Sequence, residues 1–218
     1  MKIFIVSRGV PSDNNLTLGI FEFDQAKALA AAGHDVVLLS VDLRSIRRKR
    51  KWGLRSYERE GIRVEEINFP VGAIPKSLLI KIGTPVLRKL IKRAVSKYGK
   101  PDIVHSHFFD ISYMTHKALG GRYKHVITEH SSYINSELSE KEIKKYGEMY
   151  RSADLVIAVS ESLCNRMNGQ FGISPLCINN IVDIDIFKAK VSPVNDSGKA
   201  FSFITVSNLV ANKKVDLV

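Results

Sequence analysis

Cysteine is scarce: Cys164 and Cys177 are the only two in 218 residues. Two cysteines build no disulfide framework. Each sits in or beside an apolar run, so both are expected to be reduced, buried thiols of a cytosolic protein. Long apolar runs are missing too, and no window approaches the roughly 20 apolar residues of a membrane-spanning helix. Met1 to Val6 offers only a short apolar run before Arg8, without a signal peptide's long apolar core and small-residue cleavage site. No Gly-x-Gly-x-x-Gly follows the first apolar run and no Gly-x-x-x-x-Gly-Lys-Ser/Thr occurs, which argues against dinucleotide and P-loop sites. There is no Gly-x-Ser-x-Gly elbow, so a serine hydrolase has no support.

What is present suits a soluble globular protein, with 44% hydrophobic and 25% charged residues. The length fits one generous domain, or one domain and a fragment of another, and can bury a core without staples. Net charge is +11, and its placement is uneven. Arg44 to Lys100 carries 17 Lys and Arg against 4 acids, a net of +13, so the remainder is slightly acidic. A confined basic field points to an anionic partner.

Apolar periodicity orders the chain. Lys2 to Ser7 reads as a buried strand and Arg8 to Leu18 as a loop. Gly19-Ile20-Phe21 opens a helix that Gly33 stops, and Asp35 to Val41 is the next strand. This strand–loop–helix–strand unit belongs to parallel sheets. Arg44 to Lys51 is expected to be exposed and mobile. Arg63 to Phe69 is a strand. Thr84-Pro85 predicts a helix start, with Thr as N-cap and Pro at the first helical position. From Pro85 to Tyr98 an apolar stripe faces a wholly cationic one. Asp102 to His107 is a strand with polar groups at its end, and a short helix over 111–119 leads to the strand that ends at His130. Ser139 to Glu142 fits a capping box for a helix to about Arg151. Ala153 to Val159 is a strand, and Ser160 caps the helix after it. Residues 188–199 have the composition of a linker, and Phe201 to Ser207 is a further strand.

Three places could carry chemistry. The first is Thr128-Glu129-His130-Ser131-Ser132, where a strand stops being apolar, as at the carboxyl edge of a parallel sheet. His130 is expected to face a cleft there. The second is Gly19, whose helix N-terminus could either bind a phosphate or simply permit the turn. The third is His105-Ser106-His107, which sets two imidazoles on one side of an extended segment. With His130 or Glu129 they could begin a zinc site, and a metal hydrolase is the alternative that follows. For His105 a buried, hydrogen-bonded histidine is favoured. A nucleic-acid module with its basic patch near Trp52 and Tyr57 is a further alternative, without a recognised motif.

Seven pieces occur in the order of a known family. Lys2 to Ser7 with Gly19 resembles a first strand and glycine loop. Ala32-Gly-His-Asp-Val36 resembles "GHEV", and Pro101-Asp-Ile-Val-His-Ser-His107 resembles "PDVVHAH". Val126 to His130 resembles "vvTxH", and Ala153 to Ser160 resembles "ADxviavS". Asn180-Ile-Val-Asp183 with Phe187 resembles "NGVDxxxF". Val206 to Lys213 resembles "VGRLxxxKG". Together they are similar to the amino-terminal half of a glycosyltransferase of family 4, with the GT-B fold.

The resemblance implies an α/β fold, a Rossmann-like parallel sheet flanked by helices. Residues 1–187 would form the amino-terminal, acceptor-side domain, 188–200 a linker, and 201–218 a truncated start of the donor-binding domain. It implies a retaining enzyme that uses a nucleotide-sugar as substrate, with no cofactor and no metal. His130 would be catalytic, near the donor sugar. Gly19, Ser131, Asn208 and Lys213 would serve donor binding. Asp13, Asn14, His107, Ser160 and Asn180 would line the acceptor side of the cleft. Asn180-Ile181 stands where the family has Asn-Gly, and Asn208 where it has a phosphate-binding arginine. The family's Glu-x7-Glu motif would fall beyond Val218, so the 218 residues alone are expected to transfer no sugar. A polysaccharide or glycolipid role implies a lipid-linked or saccharide acceptor and contact with the inner, anionic face of the cell membrane. Arg47, Arg48, Lys49, Arg50, Trp52, Arg88, Lys89 and Lys92 are the expected membrane-facing residues, and no nucleic acid is implied.

Overall fold

The computed structural model describes residues 1–43, 51–72 and 74–184, with Ile204 and Val215 as isolated positions. The chain divides into two units, Met1–Ile181 and Val182–Val218. All regular elements described here belong to the first. The expected linker over 188–200 lies outside the described residues. So does the second-domain start over 201–218, apart from Ile204 and Val215. The cations 44–50, Asn208 and Lys213 lie outside as well.

The strands are β1 (Lys2–Ser7), β2 (Asp35–Asp42), β3 (Gly53–Arg59), β4 (Ile62–Asn68), β5 (Ile103–His107), β6 (Lys124–Glu129), β7 (Leu155–Ala158) and β8 (Leu176–Cys177). The helices are α1 (Ile20–Ala31), α2 (Lys76–Tyr98), α3 (Phe109–Leu119), α4 (Glu140–Ser152) and α5 (Glu161–Phe171). One sheet runs β3-β4-β2-β1-β5-β6-β7-β8, parallel throughout except for the β3–β4 hairpin. The chain moves outward from β1 to one side, then returns to place β5 on β1's other side. The switch point where open α/β sheets bind ligands therefore lies between β1 and β5.

Alternation along each strand feeds a core on both faces. Phe4 and Val6 pack with Val37, Leu39, Leu87, Leu90 and Met114 under α2 and α3. Ile3 and Ile5 pack with Leu38, Phe23 and Ala26 under α1. A third cluster joins β6 and β7 to α4 and α5 through Ile127, Met149, Tyr150 and Met167. Burial of each such side chain contributes about 1.5–3 kcal/mol, so the centre of the sheet is the stable part of the unit.

The structure corrects several local expectations. The helix expected to start at Thr84-Pro85 begins at Lys76, and Pro85 lies inside it. Proline leaves the Lys81 carbonyl without its helical donor. The Thr84 hydroxyl turns back to the Ile80 carbonyl at 2.8 Å instead of capping. Apolar burial of Ile80, Leu87, Leu90 and Ile91 carries the helix through the interruption. Strand β3 was not expected from the sequence. It pairs antiparallel to β4 through a Glu60-Gly61 turn in which both residues have positive φ, as a two-residue hairpin demands. Both cysteines are free, but neither is fully buried: Cys164 is half-buried and Cys177 is exposed.

The basic segment is also less idle than its composition suggests. Arg93 and Lys97 on α2 bond to the Glu65 carboxylate at 3.2 and 2.9 Å, with Ser56 and Tyr98 completing the set. Burial alone would push Glu65 up; these partners outweigh it and hold the group at about 2. Arg88 donates to the Ala118 and Lys117 carbonyls, the unpaired end of α3. All three expected membrane-facing residues on α2, Arg88, Lys89 and Lys92, are exposed. Trp52 is 66% exposed.

Candidate functional site

Strand β6 ends at Glu129, and the next residue, His130, stands at the carboxyl edge. Alternation sends neighbouring side chains to opposite sides. Glu129 goes inward, fully buried, and does not join the histidines as a ligand. Its carboxylate accepts from the N–H groups of His130 at 3.1 Å and Ser131 at 2.8 Å, and from the Tyr150 hydroxyl at 2.6 Å. Burial pushes its pKa up to about 7, although these bonds pull the other way. Glu129 thus fixes the backbone from which His130 projects. Ser131 turns its hydroxyl to the Tyr133 N–H at 3.1 Å, so its side chain holds the following turn.

His105, His107 and His130 form a column of stacked rings, with centroids 4.6 Å apart for the first pair and 5.2 Å for the second. Phe21 from α1 stacks on the far side of His130 at 5.2 Å, and Phe108 leans against it at 4.9 Å. His105 Nε2 meets Thr128 Oγ1 at 2.7 Å, the buried, bonded arrangement expected of it. His125 Nε2 meets Ser106 Oγ at 2.7 Å, and that hydroxyl spends its hydrogen on Ser112. His125 must therefore donate. His107 Nδ1 lies 2.9 Å from His130 Nε2, while His107 Nε2 and His130 Nδ1 are each buried without a hydrogen-bond partner. One ring donates to the other across this contact, and whichever way it runs one buried ring N–H is left without an acceptor.

All of these imidazoles are neutral at pH 7. Burial lowers His105 to about 4, His125 to about 3 and His107 well below the usual value, with neighbouring imidazoles acting the same way. Burial also lowers His130 to about 4, against a smaller opposing pull from the Asn180 side chain. His130 can thus offer a neutral ring nitrogen, which suits a hydroxyl better than a phosphate. Among the described residues no group of three or more His, Cys, Asp or Glu could hold a metal ion.

A cavity of about 90 Å³ opens beside His130. Phe21, Asp24 and Gln25 of α1 form one wall, with Thr128, Ile157, Val159 and Asn180 opposite. At the β1–β5 switch point, the Arg8 guanidinium lies 3.9 Å above the Phe108 ring. Phe108 has φ 63° and ψ 144°, a region that side chains avoid, so the packing around it holds it against strain. Gly19 caps α1 at φ 69°. A Cβ there would stand 2.1 Å from the Gly9 carbonyl oxygen and 2.8 Å from Ser7 Oγ. The glycine is therefore required by the packing of two loops at this edge, whatever else its N–H serves.

Of the expected site residues, the structure brings His130, His107 and Asn180 together, with Gly19 at the β1 edge of the same sheet. Asp13 and Asn14 sit in an exposed turn closed by Ser12 and Asn15 and do not line the cavity. Ser160 accepts from the Leu163 N–H at 3.3 Å, an N-cap. Sequence reading missed Arg8, Phe21, Asp24, Gln25 and Phe108. Arg8 and Phe108 immediately follow strand ends, a position that marks the functional edge in this sheet type and could have identified them.

A family model, Glycosyltransferase Family 4, matches residues 22–186. No curated protein matches the sequence. Sucrose-phosphate synthase from Thermosynechococcus elongatus superposes with a TM-score of 0.62 at 17% identity, over 82% of this chain and 47% of that one. The catalytic domain of starch synthase IV from Arabidopsis thaliana, bound to ADP and acarbose, gives 0.56 at 16% identity, over 88% and 54%. An alpha,alpha-trehalose-phosphate synthase (UDP-forming) from Burkholderia vietnamiensis gives 0.52 at 8% identity, over 78% and 43%. The chain thus spans about half the length of these structures and shares their fold. With three quarters of its length inside the family model and its histidine-edged sheet in place, this chain belongs to glycosyltransferase family 4.

Proposed function

We propose that this chain is the acceptor-side half of a retaining glycosyltransferase, which moves a sugar from a nucleotide-sugar to a lipid-linked or saccharide acceptor in the synthesis of cell-surface polysaccharide, capsule or exopolysaccharide. The carrying observation is His130, a neutral imidazole on a strand end, braced by His107 and facing a small cavity. Its ring nitrogen hydrogen-bonds a donor-sugar hydroxyl next to the bond that breaks. The N–H groups at the start of α1 face the diphosphate, where negative charge grows as the glycosidic bond opens. By the family pattern Lys213 would add a cation and Asn208 would leave one fewer; both lie outside the described residues. The nucleotide-sugar is a substrate, and the reaction uses no metal or cofactor. The enzyme works in the cytoplasm, peripheral at the inner face of the membrane. Among the described residues no helix is long and apolar enough to cross it.

Saturation-transfer NMR with UDP-, GDP- and ADP-sugars tests the site. One donor is expected to show contact from its sugar protons, lost in His130→Ala and kept in Lys144→Ala, a distant surface change. Equal transfer to both variants would remove His130 from the site. A radiolabelled-donor turnover assay on the 218 residues should read background.

A further inference from the structure

A second cavity, about 390 Å³, lies away from the histidine column, between the β3–β4 hairpin and α2. Leu54, Ile67 and Phe69 come from the hairpin side, and Ile82, Val86 and Leu90 from the helix. Two further side chains are charged, Lys89 and Arg93, both cationic. Leu54 and Phe69 are 48% and 58% exposed, far more than core residues of their size. The volume lies in the range of small-molecule sites.

We propose that this groove binds the single hydrocarbon chain of a phosphate-headed amphiphile, with Lys89 beside the phosphate. The proposal deepens the membrane-contact reading above and is independent of sugar transfer. Two observations select the occupant. First, the lining offers no uncharged polar side chain. A peptide laid in it would strand backbone N–H and C=O groups, whereas an alkyl or isoprenoid chain brings none. Second, the charge at the groove is wholly positive, within the stretch from Arg44 to Lys100 that carries the chain's entire basic excess. Arg93 is tied to Glu65, so Lys89 is the cation best placed to reach a head group.

Isothermal titration of the 218-residue chain with octyl, decyl and dodecyl phosphate, each below its micelle concentration, tests the assignment. Affinity is expected to rise about four-fold per added CH2 until the groove is full. Leu54→Asp, on an exposed strand position, should weaken dodecyl phosphate at least about ten-fold. Lys89→Ala should weaken it about five-fold. Dodecyl maltoside binding as tightly as dodecyl phosphate would overturn the phosphate head. Inorganic phosphate competing at equal concentration would overturn the chain. No binding of dodecyl phosphate, as when another part of the protein fills the groove, overturns the whole proposal. Co-sedimentation with anionic vesicles separates the two readings: vesicle binding that Leu54→Asp leaves intact keeps the membrane contact and refutes the groove.

Discussion

Lowering the pH from 7 to 5 should destabilise the first unit, because its sheet buries neutral histidines. His105 and His130 sit at about 4 and His125 at about 3, against 6.5 for a solvated imidazole. These folded values are depressed, so at pH 5 the unfolded chain binds protons that the folded chain refuses. Stability therefore falls as pH drops through 6.5. Each proton so refused is worth about 1.4 kcal/mol for every pH step of one below that point. Each histidine thus costs about 2 kcal/mol by pH 5, or about 6 kcal/mol for the three. His107 moves in the same direction. Glu129 opposes them. Its folded value near 7 is raised from 4.5, so it takes up a proton in the fold before it would in the unfolded chain. That returns about 2 kcal/mol as the pH falls. The net loss of about 4 kcal/mol is a large share of the 5–15 kcal/mol that holds a typical domain together. It corresponds to a fall in Tm of roughly 8–16 °C for a chain of this length. Calorimetric melts at pH 7, 6 and 5 and constant ionic strength read it directly. His125→Gln, which keeps a donor for Ser106, should remove about half of this net pH dependence. A Tm that does not move between pH 7 and 5 would refute the neutral, buried column.

Two further changes probe the supports of the site. Glu129→Gln keeps an acceptor for the two N–H groups but cannot ionise. It should remove the one contribution that falls as pH rises, so that the variant gains about 2–3 kcal/mol more than wild type between pH 5 and 8, measured by urea midpoints at each pH; an unchanged pH profile would mean Glu129 does not titrate there. Gly19→Ala meets both a left-handed backbone and the Gly9 carbonyl, and should cost clearly more than the roughly 1–2 kcal/mol of the backbone term alone. Gly33→Ala, at φ 84° with nothing within 4 Å, should show only that smaller term, and equal urea midpoints for the two variants would contradict the close approach of the loops.

Most strands of the sheet are legible in the sequence. The runs that became β1, β2, β5, β6 and β7 are apolar because both faces are covered by helices, and such runs are legible without a partner. Caps were legible for the same local reason: the Ser139–Glu142 box and the Ser160 cap both form within four residues. His130 was legible as a strand end, since the stop in hydrophobicity is itself a sequence event. Other features depend on neighbours distant in sequence. Helix α2 runs through Pro85 because packing against α3 and β2 outweighs one lost hydrogen bond. Strand β3 was missed because its half-exposed alternation gains meaning only beside β4. The cations of α2 read as one solvated face until Glu65, some thirty residues earlier in the chain, claims Arg93 and Lys97. The pairing of His107 with His130, the turning of Glu129 away from them, and the walls supplied by Phe21 and Phe108 follow from strand register and helix placement. A periodic sequence states which side chains lie inside, but contacts between elements depend on how those elements are laid against one another.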